Sequence, residues 1–182
     1  KASILAHKVG INTADLLSKY IIEPLRYDYD VIIIDCGPHL DASLLNVIEC
    51  SDSIVIPTGL DPVEFDSTLK FVDALYDLYE MVPTPRLMFE QLKFIATKYD
   101  DTNPIHVDNY QLMMMTWPGQ VLSARMSQLR AFGTVFDDQQ TVYTAQPKFY
   151  AGDTRSLKRA QLVADQVVTE VFSSLLNGTE HL

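Results

Sequence analysis

The chain has 182 residues, 47% of them hydrophobic, enough for one domain with a sizeable core. Its net charge of −10 argues against tight, indiscriminate binding to nucleic acid, and no apolar run approaches the roughly 20 residues a bilayer span requires. Two cysteines, Cys36 and Cys50, lack C-x-x-C spacing, so a disulfide framework or zinc site is not expected and a reducing cytoplasm fits. The charge is uneven: residues 1–120 carry −10, residues 121–160 carry +3, and the remainder −3. A basic patch late in the chain is therefore possible. No signal-peptide pattern opens the chain, which starts at Lys1 without a methionine.

In chain order, Asn12 or Thr13 can cap a helix that carries Leu16, Leu17, Tyr20 and Ile21 and ends near Pro24. Val31 to Ile34 are four consecutive β-branched residues running into Asp35-Cys36-Gly37-Pro38, and read as a central strand followed by a tight turn. Leu40 to Cys50 reads as a helix with Leu44, Leu45, Val47 and Ile48 on its apolar face. Ser53 to Pro57 reads as a short strand stopped by its proline. Pro62 suits the first turn of a helix bearing Phe65, Leu69, Val72, Leu75, Tyr76 and Tyr79, broken by Pro83 and Pro85. Leu92 to Thr97 is a third strand, Val107 to Trp117 a helix closed by Pro118-Gly119, and Gln120 to Ala124 a fourth strand. The last helix begins at Ser156, with Leu157, Ala160, Val163, Val167, Val171 and Leu175 on one face, and stops at Asn177-Gly178.

Short apolar strands alternating with amphipathic helices predict an α/β fold: a mainly parallel sheet with helices on both faces. Ligands of such sheets bind outside the carboxyl ends of the strands, where Asp35 falls. A carboxylate there suits a magnesium ion beside a nucleotide phosphate, held directly or through water; an Asp that only caps the following turn is the other reading. Gly37 permits close backbone approach. Several neighbours keep two readings. His39 is a phosphate sensor or a surface turn residue. Asp28, Asp30 and Asp41 form a carboxylate cluster, or else are two solvated acids and a helix start. Cys36 is a small filler or a reactive thiol. Met113-Met114-Met115 with Trp117 forms a partner surface, or packs with two methionines inward and one exposed.

The run YDYDVIIIDCGPHLDASLLNVIECSDSIVIPT resembles the Walker B strand, following helix and next strand of the ParA family of plasmid- and chromosome-partition ATPases. DPVEFDSTLKFVDALYDLYEMV is similar to the long helical segment of the larger plasmid-type members, and KFIATKYDDT and TVYTAQP extend the likeness to the final helix. The resemblance implies a P-loop NTPase-like sheet and a deviant Walker ATPase. Such a protein binds ATP and Mg²⁺, forms a homodimer over the nucleotide, binds DNA nonspecifically and is stimulated by a centromere-binding, ParB-like partner. It would act in the bacterial cytoplasm at the nucleoid. By the same resemblance Asp35 is the Walker B acid that organises Mg²⁺ through water. Gly37 and Pro38 form the loop near the γ-phosphate, and Thr97, Lys98, Tyr99 and Asp100 lie on the base side of the nucleotide. Arg130, Arg155, Lys158 and Arg159 match DNA-contacting positions. A membrane-acting, MinD-like ATPase is the runner-up. It is disfavoured because Leu157 to Leu176 turns acidic rather than ending as a basic amphipathic helix. A non-enzymatic DNA-binding or adaptor module is the third reading.

The departure from the family is the phosphate loop. No G-x-x-x-x-G-K-[ST] run, nor a K-G-G-x-x-K-[ST] version, occurs among the seven glycines. The expectation is that residues 1–182 are the C-terminal part of one ParA-like nucleotide-binding domain, with Lys1 partway through a longer protein. The isolated chain is then expected to hydrolyse no ATP, and to show unpaired strand edges and low stability.

Overall fold

The structure, a computed structural model, describes residues 16–37, 42–80 and 91–178. A π-helical turn (Ser18–Ile22) leads into α1 (Glu23–Leu25). There follow α2 (Ala42–Cys50), β1 (Ile54–Gly59), α3 (Pro62–Tyr79), β2 (Leu92–Tyr99), α4 (Pro104–Thr116), β3 (Val121–Ser127), α5 (Arg130–Asp137) and α6 (Thr154–Gly178). The strands form one sheet in the order β1-β2-β3. β2 and β3 run parallel, with Phe94 opposite Val121, Ala96 opposite Arg125 and Tyr99 opposite Ser127. β2 lies in the middle, and Leu92, Phe94, Ile95, Ala96 and Tyr99 are buried irrespective of which face they point to. A continuous apolar run is what a strand covered on both sides needs.

The chain divides into two compact units, residues 1–54 with 66–92 and residues 55–65 with 93–182. In the first, α2 buries Leu44, Val47, Ile48 and Cys50 and contacts the π-helical turn, where Asn46 Oδ1 accepts the Leu17 N–H at 3.0 Å. In the second, α6 packs along β3 and against α5. Ala131, Val135, Val142, Ala145, Leu157 and Ala160 form a small core there, sealed by Leu129, Phe132 and Tyr150. Trp117 closes α4 by stacking on Phe94, ring centroids 4.0 Å apart and planes within 8°.

Several expectations need correction. The first helix does end beside Pro24, at Leu25, with the proline itself inside α1. A proline ring collides with the carbonyl four residues back, here that of Tyr20, and the preceding π turn widens the helix to admit it. The anticipated apolar face of that segment is largely exposed at Leu16, Tyr20 and Ile21, and Ile22 is the buried residue. Val31 to Ile34 is not a strand; residues 31–37 carry no regular structure and Ile33 is 83% exposed. A strand exists only through its neighbours' hydrogen bonds, and none of the three strands pairs with this run. Pro57 does not stop β1, which continues to Gly59. Among the described residues β1 is an edge strand with one side lacking ladder partners, so the missing N–H is tolerated.

β2 and β3 each extend past their expected ends, and α5, not anticipated at all, follows β3 after a two-residue break. α4 starts three residues early because Asn103 caps it, accepting the Ile105 N–H at 3.1 Å, with Pro104 at the first turn. Of the three methionines only Met113 is core; Met114 and Met115 face out. Cys36 is exposed, so it fills no gap. Asn12, Thr13, Pro38, His39, Asp41, Pro83 and Pro85 lie outside the described residues.

Candidate functional site

The carboxyl ends of β1 and β2 present a polar cluster within the second unit. β1 hands over through Leu60 and Asp61 to the first turn of α3, which carries Glu64. β2 ends at Thr97, Lys98 and Tyr99, with Asp100 next. Lys98 sits at φ 53°, and the β2–β3 register slips between Thr97 and Tyr99. A left-handed backbone at a lysine costs on the order of 1 kcal/mol or more, and it persists only where surrounding contacts hold it. Glu64 supplies one: its Oε1 meets Lys98 Nζ at 2.7 Å. That hydrogen bond, then the charge of the same carboxylate, raises the Lys98 pKa above 10.5. Gly59 makes room for the pair, since a Cβ there would collide with the Glu64 carboxylate.

His106, buried in the first turns of α4, ties the two strand ends together. Its Nδ1 accepts the Asp100 N–H at 3.2 Å, and its Nε2 lies 3.3 Å from Asp61 Oδ1. A backbone amide can only donate, so Nδ1 carries a lone pair and the neutral ring donates from Nε2 to Asp61. Asn109 donates to the Leu60 carbonyl at 2.8 Å, fixing the same turn. Asp100 accepts from the Thr102 hydroxyl at 2.7 Å and the Thr102 N–H at 2.9 Å. These bonds, the hydroxyl first, lower its pKa below 3.8. Beneath it, Tyr99 meets Tyr110 edge-on, and the Arg125 guanidinium lies over both rings at 4.8 and 5.0 Å.

Of the residues singled out in the sequence, Lys98 and Asp100 join this cluster, Thr97 is half-buried beside them, and Tyr99 is buried. Asp35 and Gly37 are exposed and belong to the other unit. Desolvation of the sulfur, then the Asp35 carboxylate beside it, raises the Cys36 thiol pKa, which disfavours the thiolate that a reactive cysteine needs. Arg155, Lys158 and Arg159 share one exposed stretch of α6, opposite the buried Leu157 and Ala160. Asp153 Oδ1 caps that helix by accepting the Arg155 N–H at 3.1 Å, which starts it at Thr154 rather than Ser156. Arg130 is exposed at the start of α5.

Sequence reasoning missed Asp61, Glu64, His106 and Asn109. The Asn103-Pro104 cap signal would have moved α4 three residues back and set His106 in its opening turn.

Among the described residues no group of three or more His, Cys, Asp or Glu side chains converges as a metal-ligand set. Mg²⁺ keeps most of its water and takes phosphate oxygens, so one exposed carboxylate such as Asp35 fits its demands. No helix of the described residues is long and apolar enough to cross a membrane.

A family model described as an AAA domain matches residues 6–82. Plasmid partition protein A of Escherichia coli is 28% identical over 170 residues, 93% of this chain and 43% of that protein. Protein SopA of Escherichia coli K12 is 35% identical over 89 residues, 48% of this chain and 22% of its own length. A solved structure titled Partition Protein superposes with a TM-score of 0.58 at 29% identity, covering 68% of this chain and 35% of that one. The chain thus spans less than half the length of these relatives. Its α/β fold, a parallel sheet with helices, resembles that P-loop NTPase-like partition protein. In sequence and in fold the chain is similar to plasmid partition proteins.

Proposed function

We propose that the chain is the C-terminal part of a nucleotide-binding domain in a plasmid partition ATPase. The reading is carried by similarity to Plasmid partition protein A along 93% of the chain, and the polar cluster at the strand ends supports it. Asp35 organises Mg²⁺ through water, and Gly37 and Pro38 form the loop beside the terminal phosphate. Thr97, Lys98 and Asp100 meet the base side of the nucleotide, with Lys98 and Asp100 held by Glu64 and by His106 and Thr102. The ion, when bound, neutralises charge developing on the transferred phosphoryl group. Hydrolysis belongs to the whole protein, since the phosphate-cradling run is not in these 182 residues.

Arg130, Arg155, Lys158 and Arg159 contact DNA phosphates without reading sequence, in a homodimer closed over nucleotide. A ParB-like centromere-binding protein stimulates turnover, in the cytoplasm. The test is charge reversal at Arg155 and Arg159 in the full-length protein, with binding to random duplex DNA measured as salt is varied. Losing two phosphate contacts weakens binding and flattens the log K against log salt slope by about 1.8, at roughly 0.9 per phosphate. An unchanged affinity and slope would remove these residues from any DNA surface.

A further inference from the structure

Glu170, on the α6 face toward β3, makes three bonds no ordinary strand offers. Its carboxylate accepts the Ser123 N–H at 2.6 Å, the Ala124 N–H at 2.8 Å and the Ser123 hydroxyl at 3.1 Å. Successive amides of a regular strand point to opposite edges, so two neighbours cannot share one acceptor. Here they do because β3 bulges: Phe94 to Ala96 on β2 is matched by Val121 to Arg125 on β3, two residues longer. Paired backbone amides with an adjoining hydroxyl form a concave anion holder. The seat opens into a groove of about 890 Å³, lined also by Arg125 and Arg159. Arg125 is fixed over Tyr99 and Tyr110. The acids Asp101 and Asp165 line the same groove, Asp165 being bonded to the Tyr143 hydroxyl at 2.8 Å.

We propose that the amides of Ser123 and Ala124 with the Ser123 hydroxyl are a seat for a phosphate group, which Glu170 fills as an intramolecular stand-in until a phosphate displaces it. The source is the DNA backbone, which rests on the DNA reading above; Arg159, already placed on that surface, borders the groove. Glu170 then tunes DNA affinity downward and holds α6 against β3 while DNA is absent.

The experiment uses the full-length protein, with fluorescence anisotropy on random duplex DNA from about 0.05 to about 0.3 M NaCl, a range over which salt screening strengthens progressively. Glu170→Ala vacates the seat. Glu170→Gln keeps the side-chain length and packing, should the alanine variant fold poorly. One added phosphate contact steepens the salt slope by about 0.9 and tightens binding by roughly eightfold at 0.1 M salt. Glu170→Gln gives a smaller change in the same direction. Asp165→Asn removes an equal charge from the groove without vacating the seat, and leaves the slope unchanged. Adding Ser123→Pro to Glu170→Ala deletes two donors and restores the wild-type slope. Inorganic phosphate, added to the Glu170→Gln protein, shifts the amide resonances of Ser123 and Ala124.

A slope unchanged in both Glu170 variants, or an equal steepening in Asp165→Asn, overturns the proposal and leaves Glu170 as a staple between α6 and β3. If no variant binds DNA yet phosphate still shifts the two amides, the DNA reading falls and the seat stands for free phosphate. If neither DNA nor phosphate acts, both fall.

Discussion

Replacing His106 by alanine tests whether one side chain ties the β1 and β2 ends together. The ring is 7% exposed and makes two bonds of unequal worth. Asp61 is 63% exposed at its side chain, so solvent screens that arm and it contributes little. The Asp100 N–H is part-buried, and losing its acceptor removes a bond worth about 1 kcal/mol and strands a donor costing about 1 kcal/mol more. With lost ring packing the total is about 2–3 kcal/mol, which at roughly 2–4 °C per kcal/mol lowers the melting temperature by about 5–10 °C. Hydrogen exchange at the Asp100 amide gives the sharper readout, and its protection should fall about tenfold. His106→Asn, whose amide oxygen can take the place of Nδ1, should recover much of that protection; His106→Gln, which reaches instead toward Asp61, should not. Wild-type exchange at Asp100 in the alanine variant, or equal rescue by both amides, would refute the assigned bonding and tautomer.

Three further outcomes follow from the same geometry. Asp100 has a lowered pKa, so its contribution to stability is complete above 3.8 and disappears as pH falls through its lower folded value; Thr102→Ala should move its NMR titration midpoint back up toward 3.8 and shrink that acid-side loss. Trp117→Ala empties the stack on Phe94 and should cost about 3–5 kcal/mol in urea unfolding. Glu64→Gln should lower the Lys98 pKa toward 10.5, whereas in the wild type the pair's contribution holds below 10.5 and fades as pH rises through the raised value.

Where neighbouring residues settle local structure, the elements were legible. The apolar run of β2 required burial on both sides, and Pro62 marked the start of α3. Partnership was not legible. Val31 to Ile34 reads as the most apolar strand of the chain, yet a strand needs flanking backbone and this run has none among β1, β2 and β3. Pro57 reads as a stop because nothing local says that β1 is an edge. The Met113–Met115 run was misread by helical geometry itself: steps of about 100° bring only one of three consecutive residues to a narrow buried face.

The same division holds at the site. Lys98 and Asp100 stood out only through family resemblance, while their partners Glu64 and His106 lie 34 and 6 residues away on other elements, and His106 in turn meets Asp61 across 45 residues. Glu170 bonds β3 from 46 and 47 residues away, with only a bulge to make the match, and no spacing rule reports a bulge.

In the proposed function Asp35 serves a magnesium ion beside a nucleoside triphosphate. Titration calorimetry of the full-length protein with ATP, with and without Mg²⁺, tests it directly when repeated on Asp35→Asn. Mg²⁺-dependent uptake should weaken at least about tenfold in the variant, a loss of about 1.4 kcal/mol, with metal-free binding unaltered. Equal Mg²⁺-dependent affinity in the two proteins, or no dependence on the ion in either, would contradict it.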